Sequence, residues 1–211
     1  MIKLGGTIGN EYNFYSKIEP ELKLIIDVGA QNSFFTNVNC EIHFFEPDTV
    51  AFNELIKNTN EKYFFNKKGL GIENQEKILY NDLGSVYHRH VNGINYDVNE
   101  KIEIIRLDLY ITEKNIKNIS LLKIDTEGME YEILSGMGEY LDICKYIVFE
   151  YAWDTAEAAG VNFSNIKSLL DGFDLFEMGS GGELINLDEE KITKRVRPNT
   201  NNIVAKNKKS E

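Results

Sequence analysis

Short apolar runs rich in β-branched and aromatic residues alternate along this chain with segments of helical spacing. That alternation constrains the fold most, because it marks a mostly parallel sheet covered by helices. Seven runs read as strands: 22–29 (LKLIIDVG), 41–47 (EIHFFEP), 62–70 (KYFFNKKGL), 121–128 (LLKIDTEG), 145–151 (KYIVFEY), 173–179 (FDLFEMG) and 202–207 (NIVAKN). Between them, Val50, Leu55 and Ile56 fall at helical spacing, as do Ile133, Leu134, Met137 and Leu141. A third helix is expected in SNIKSLLDGF, with Ser164 as its N-cap and Gly172 as its stop. The fold class is therefore α/β, a doubly wound, seven-stranded, mostly parallel sheet.

A chain of 211 residues fits one domain, 1–211, with 1–20 as an N-terminal lead-in. Segment 72–112 departs from the alternation: EKILYND and KIEIIRLDLYI read as inserted strands around a long polar loop, GSVYHRHVNGINYDVNE. The first crossover, Ala30 to Cys40, leaves room for two or three helical turns at most. A net charge of -11 and a pI near 4.9 exclude nucleic acid as the main partner, since phosphate binding needs a basic surface. Cys40 and Cys144 lie in apolar runs and read as reduced core thiols. No run approaches the ~18 apolar residues of a membrane span. The opening residues lack the apolar segment of a signal peptide, so a soluble cytoplasmic protein is expected.

In open parallel sheets, ligands bind at the carboxyl ends of strands where the winding reverses. The strand ends carry Asp27-Val28-Gly29-Ala30, Glu46-Pro47-Asp48, Gly69-Leu70-Gly71, Asp125-Thr126-Glu127-Gly128 and Glu150-Tyr151 followed by Trp153. Asp27, Glu46, Asp125 and Glu150 thus gather along one edge. Glu46 follows Asp27 by 19 residues, the spacing at which a carboxylate accepts from both hydroxyls of a ribose. The competing reading is that Glu46 caps the helix starting near Asp48. A dinucleotide needs several glycines to bring backbone N–H groups against its pyrophosphate, and the first turn offers only Gly29. S-adenosylmethionine has no phosphate, and one close-approach glycine can suffice for it.

DVGAQNSFFT (27–36), FFEPD (44–48), LDLYITEKNIKNISLLKIDTEGMEYEILSGM (107–137) and YIVFEY (146–151) together resemble the FkbM-type methyltransferases. The resemblance covers about residues 20–151, and its most specific part is the run Lys123-Ile124-Asp125-x-Glu127-Gly128-x-Glu130. It implies a Rossmann-like class I methyltransferase fold, S-adenosylmethionine as cofactor, and methylation of hydroxyl oxygens on sugars, glycans or polyketides. Carried over, Asp27, Gly29 and Ala30 form the first cofactor loop, and Glu46 with Pro47 takes the ribose. Gly69 and Leu70 flank the adenine, and Asp125 stands near the transferred methyl. The family typically has asparagine where this chain has Gln31 and glycine where it has Ser33. Gln31 is nevertheless expected among the cofactor contacts, and Thr36 agrees with the pattern and would help to hold the methionine end.

Methyl transfer to an aliphatic hydroxyl needs alignment and proton removal. Asp125 or Glu127 is the expected base, with His88 or His90 of the polar loop as competitor. Glu127 also reads as a carboxylate at a helix N-terminus, and HRH as a solvated loop. Glu150 and Trp153 are the expected acceptor contacts; a core tryptophan is the other reading. Asp125 and Glu150 could share a divalent cation, although no ligand geometry is fixed by sequence. His43 reads as a strand histidine with a structural partner. The late cluster Lys191, Lys194, Arg195 and Arg197 reads as a solvated hairpin face. The functional expectation is an S-adenosylmethionine-dependent O-methyltransferase acting on a small-molecule or glycan acceptor, with a glycosyltransferase encoded beside it or fused to it. Its rivals are a cofactor-binding scaffold without turnover and an NAD-dependent oxidoreductase, the latter disfavoured by the missing glycines.

Overall fold

The computed structural model describes residues 10–80, 99–194 and 201–210; His88, His90, Arg195 and Arg197 lie outside the described residues. Helix α1 (Asn10–Ile18) leads into β1 (Leu24–Val28), β2 (Glu41–Phe45), α2 (Thr49–Leu55) and β3 (Tyr63–Asn66). Then follow β4 (Gly69–Gly71), β5 (Gln75–Tyr80), β6 (Asn99–Arg106), α3 (Leu107–Lys114), β7 (Ile119–Ile124) and α4 (Glu130–Met137). The chain continues with β8 (Cys144–Tyr151), α5 (Trp153–Ala158), α6 (Phe163–Leu169), β9 (Phe173–Met178), β10 (Leu184–Asn186), α7 (Glu189–Ile192) and β11 (Asn201–Asn207).

The large sheet runs β10-β9-β11-β8-β7-β1-β2-β3, parallel from β8 through β3 and antiparallel where β11 meets β8 and β9. The chain winds outward from β1 to β3 and resumes at β7 on the other side of β1. Its switch point therefore lies between the carboxyl ends of β1 and β7. Both strands are covered on both faces, which is why LIIDV and ISLLKI are almost continuously apolar instead of alternating. Ile26, Val28, Leu122 and Ile124 face a core shared with α3, α4 and α6. Ile25 and Leu121 face an aromatic core under α1. Asp27 and Lys123 share that second face, the two charged residues in otherwise apolar strands.

The doubly wound α/β class holds, while five details differ from the sequence reading. Leu141, expected on one helical face with Met137, lies in a 3-10 segment beyond α4, which ends where Gly138 takes φ 53°. Eight strands form the large sheet, not seven, because β10 folds back on β9 as a short hairpin. The strand expected at 62–70 divides: β3 stays in the large sheet, and β4 crosses to a separate sheet of order β4-β6-β5. The strand expected at 101–111 ends at Arg106, since Leu107, Tyr110 and Ile111 are spaced to bury one face of α3. Finally, α6 is capped by Asn162, in a reciprocal capping box with Asn165, and not by Ser164.

Residues 30–40 form turns and no helix; Phe35 and Val38 plug the core, and their carbonyls accept from the Tyr63 hydroxyl at 3.2 and 3.0 Å. His43 has the structural partners expected of it, Tyr110 at 2.7 Å and Glu41 at 2.8 Å. Lys191 and Lys194 pair locally with Asp188 and Glu190. Among the described residues, no helix is long and apolar enough to cross a membrane.

The small sheet docks on α4. Gly136 meets β4 so closely that a Cβ there would lie 2.4 Å from the Gly71 carbonyl oxygen. Lys77 of β5 reaches Glu132 of α4 at 2.9 Å. A helix-interior glycine normally costs about 1 kcal/mol relative to alanine. Here the sign reverses: Gly136→Ala must push α4 off β4, and a net destabilisation of about 1–3 kcal/mol is expected in urea unfolding. A stability equal to or above that of the wild type would show that the contact is not fixed.

Candidate active site

At the switch point the strand-end loops are tied to one another through the backbone. Gly29 has φ 72°, and a Cβ on it would lie 1.9 Å from the Asp125 carbonyl oxygen, so both conformation and space demand glycine. Gly29 and Ala30 donate their N–H groups to the Phe45 carbonyl at 2.9 and 3.1 Å, and Asp125 donates to the Val28 carbonyl at 3.0 Å. Gln31 follows at φ 33°, and its N–H donates to Glu46 Oε2 at 2.9 Å. The other oxygen of Glu46 accepts from Asp48 N at 2.8 Å. Asp48, not Glu46, caps α2, accepting from Ala51 N at 2.7 Å. Glu46 instead bridges the loops after β1 and β2. Burial pushes its carboxyl up to about 7, against the pull of the Gln31 and Asp48 amides.

Beneath these loops Lys123 is buried with its ammonium 3.2 Å from Asp125 Oδ2 and 3.6 Å from Asp27 Oδ1. Asp27 is wholly buried; its Oδ2 accepts from the Ser33 hydroxyl, and its Oδ1 lies beyond hydrogen-bond reach of Lys123 but within ion-pair reach. Ser33 Oγ accepts in turn from Phe35 N at 3.1 Å. Burial alone would discharge Lys123, but Asp125, Asp27 and Glu11 outweigh it and raise its pKa above the usual lysine value. Glu11 arrives on α1 and accepts from the buried Tyr15 hydroxyl at 3.1 Å. Helix α1 is held there by side chains of Asn10, Asn13 and Lys17, which donate to the carbonyls of Met178, Ser180 and Gly181.

After β7 the chain turns through Glu127 at φ 59° and Gly128 at φ 122° into α4. This turn gathers Asp125, Glu127 and, from the end of β8, Glu150, with one carboxylate oxygen of each within 4.8 Å of the others. A divalent cation could bridge such a set, as oxygen donors suit it. Trp153 opens α5 and is 41% exposed, so the reading of a core tryptophan is excluded.

A cavity of about 360 Å³ opens beside these loops, within the range of small-molecule sites. Of the expected cofactor residues, Gly29, Gln31, Glu46, Pro47, Gly69, Leu70 and Asp125 line it, while Asp27, Ala30 and Thr36 do not. Its apolar wall was not legible in the sequence: Leu79, Ile102 and Ile104 come from the small sheet and Met129 from the turn before α4. Glu46, Asp48, Glu54 and Asp125 line it, and no lysine, arginine or histidine does among the described residues. Such a lining repels a pyrophosphate and favours a cation. Lys123 was foreshadowed by a single charge in an apolar strand, whereas Glu11 and Tyr15 left only an i,i+4 spacing.

Removing one partner from a buried ion cluster leaves the others uncompensated. Lys123→Met is therefore expected to destabilise the fold by about 3–5 kcal/mol in urea unfolding. Adding Asp27→Asn should recover part of that loss; no recovery in the double variant would mean that Lys123 acts through packing alone.

Residues 27–180 match the family described as Methyltransferase FkbM domain. Among solved structures, the FkbM methyltransferase from Methylobacillus flagellatus KT superposes with a TM-score of 0.53 at 12% identity, over 88% of this chain and 44% of that one. This chain thus spans less than half the length of that protein. The METTL16 MTase domain superposes with a TM-score of 0.51 at 11% identity, over 97% of this chain and 70% of that one. Likeness at such identities speaks for the fold alone. Among curated proteins nothing matches. With the family match covering most of its length, the chain belongs to the FkbM methyltransferase family, and its cofactor is S-adenosylmethionine, a phosphate-free cation suited to an acidic cavity with one glycine at its first turn.

Proposed function

We propose that this methyltransferase transfers the methyl group of S-adenosylmethionine to a hydroxyl oxygen of a sugar or glycan. The observation that carries the reading is the gathering of Asp125, Glu127 and Glu150, of which Asp125 also lines the cavity. Hydroxyl oxygens need a base there, and carboxylates both accept their protons and orient neighbouring hydroxyls. The cofactor supplies an electrophilic methyl on sulfur; the chain supplies the alignment. Glu46 accepts from the ribose hydroxyls with the lone pairs that Gln31 and Asp48 leave free. Leu70, Ile102, Ile104 and Met129, apolar residues of the cavity wall, would pack against the adenine. Asp125, held by the Lys123 ammonium at 3.2 Å, orients the reacting groups. Glu127 takes the proton. Glu150 accepts from a second acceptor hydroxyl, and the exposed ring of Trp153 covers the C–H face of a sugar. A sugar acceptor makes a glycosyltransferase the natural supplier of this chain's substrate.

Calorimetry with S-adenosylhomocysteine and NAD, followed by mass measurement on a panel of sugars and glycolipids, tests this reading. Binding of the former alone and a mass gain of one methyl group support it; methylation confined to nitrogen acceptors would overturn the hydroxyl assignment. Glu127→Gln is expected to lower methyl transfer by roughly 10²–10⁴-fold while S-adenosylhomocysteine affinity stays within a few-fold. An undiminished rate would remove Glu127 from the role.

The pH dependence follows from Glu46. Ribose hydroxyls donate to the ionised carboxylate, and burial, seconded by Asp48 and Asp27, holds that carboxyl at about 7. Cofactor affinity is therefore full about one unit above that value and falls as the pH drops through it. Glu46→Gln should bind more weakly at pH 8 and lose this slope. A wild-type affinity flat from pH 8 to 5.5 would contradict the ribose assignment.

A further inference from the structure

The turn from Asp125 to Met129 holds two successive residues at positive φ, Glu127 at 59° and Gly128 at 122°, and only the second is glycine. Left-handed backbone is rare for a residue with a long side chain, and where it persists the surroundings over-determine it. Gathering the carboxylates of Asp125, Glu127 and Glu150 within 4.8 Å also runs against what the local chain would choose. Something must hold the turn in this shape. One oxygen of Glu130, at the first position of α4, accepts from Thr126 N at 3.2 Å, from Thr126 Oγ1 at 3.0 Å and from Gly128 N at 3.2 Å. These donors flank Glu127 on both sides. Glu130 is 6% exposed, and so points inward under the turn while Glu127 remains half-buried above it.

We propose that Glu130 is a positioning residue: its buried carboxylate folds the 125–129 turn, keeps Glu127 left-handed and so brings the Glu127 carboxylate to Asp125 and Glu150. The catalytic half of this inference rests on the reading of Asp125 and Glu127 as the reacting end; the conformational half does not. Charge alone is not what the turn needs. It needs an acceptor oxygen at that place, which glutamine also provides.

Glycine outranks alanine at a left-handed position and alanine outranks glycine elsewhere. Comparing Glu127→Gly with Glu127→Ala therefore reports the local conformation without knowledge of the acceptor. With Glu130 present, Glu127→Gly is expected to melt about 3 °C above Glu127→Ala. In the Glu130→Leu chain, where no oxygen gathers the donors, the order should reverse. The same order by the same margin in both chains would overturn the proposal. Should Glu130→Leu fail to fold, Glu130→Asp, with its carboxylate drawn back by one methylene, carries the same comparison. Once an acceptor is in hand, Glu130→Leu should lose methyl transfer by about 100-fold with S-adenosylhomocysteine affinity within threefold, and Glu130→Gln should recover most of the loss. Equal loss in Leu and Gln variants would count against an acceptor role. Reversal of the melting order together with full turnover of Glu127→Gln would leave the template standing and remove the proposed function.

Discussion

A buried ammonium, Lys123, lies between the carboxylates of Asp27 and Asp125 at the point where the sheet changes its winding direction. Apolar side chains in place of the buried pair Lys123 and Asp27 would stabilise this region as well or better, because desolvating those two charges costs several kcal/mol per ion. What the cluster supplies is position. It joins the end of β1 to the end of β7 at fixed separation, under a backbone contact so close that Gly29 has no room for a Cβ beside the Asp125 carbonyl. Val28, Gly29, Asp125 and Thr126, all on the cavity wall, take their places from this junction. The acidic residues beyond it inherit them through the turn that Glu130 underlies.

The small sheet depends on the same frame. Its inward residues Leu79, Ile102 and Ile104 make a cluster separate from the two main cores, and the surface they cover is the cavity. Alone, three buried side chains would stabilise a three-stranded sheet poorly. It is fastened at both sides instead. Lys77 pairs with Glu132 of α4, and Glu100 accepts from the backbone N–H of Thr49, the first residue of α2, with Lys67 3.3 Å away. The helices flanking the cavity therefore hold the sheet that completes it, so the segment that reads as an insertion in the sequence builds a wall of the cavity.

The fold class was legible because burial on both faces forces parallel strands into apolar runs, and chain order then dictates which ends meet at the switch point. The acids at those ends could be named for that reason, and six of the expected cofactor residues besides Asp125 line the cavity. What was illegible depended on long-range pairing. Nothing local in KYFFNKKGL tells that Asn66 and Gly69 belong to different sheets. The run KIEIIRLDLYI is apolar enough for a strand throughout; only packing against the core decides that Leu107, Tyr110 and Ile111 continue as a helix. Glu11 and Tyr15 reach the charged cluster because α1 is tied to the carbonyls of 178–181, a contact between opposite ends of the chain.

The loop after β1 shows why glycine counts mislead. Its one glycine answers first to a neighbouring strand, since the Asp125 carbonyl occupies the place of a side chain. Where the family typically has glycine, Ser33 uses its hydroxyl twice, donating to Asp27 and accepting from Phe35 N. Glycine at that place could do neither, and Asp27 would face Lys123 with one donor fewer. Where the family typically has asparagine, Gln31 takes a positive φ that asparagine adopts more readily. The hydrogen bond from its N–H to the buried Glu46 opposes that cost. Ser33 thus shifts support for the loop from backbone freedom to a side-chain hydrogen bond, whereas Gln31 is held through its backbone N–H, and both bonds end on carboxylates. A ligand that draws hydrogen bonds toward Glu46, which lines the cavity, would act on one of the two carboxylates that shape the loop, coupling the form of this turn to the ligand it receives.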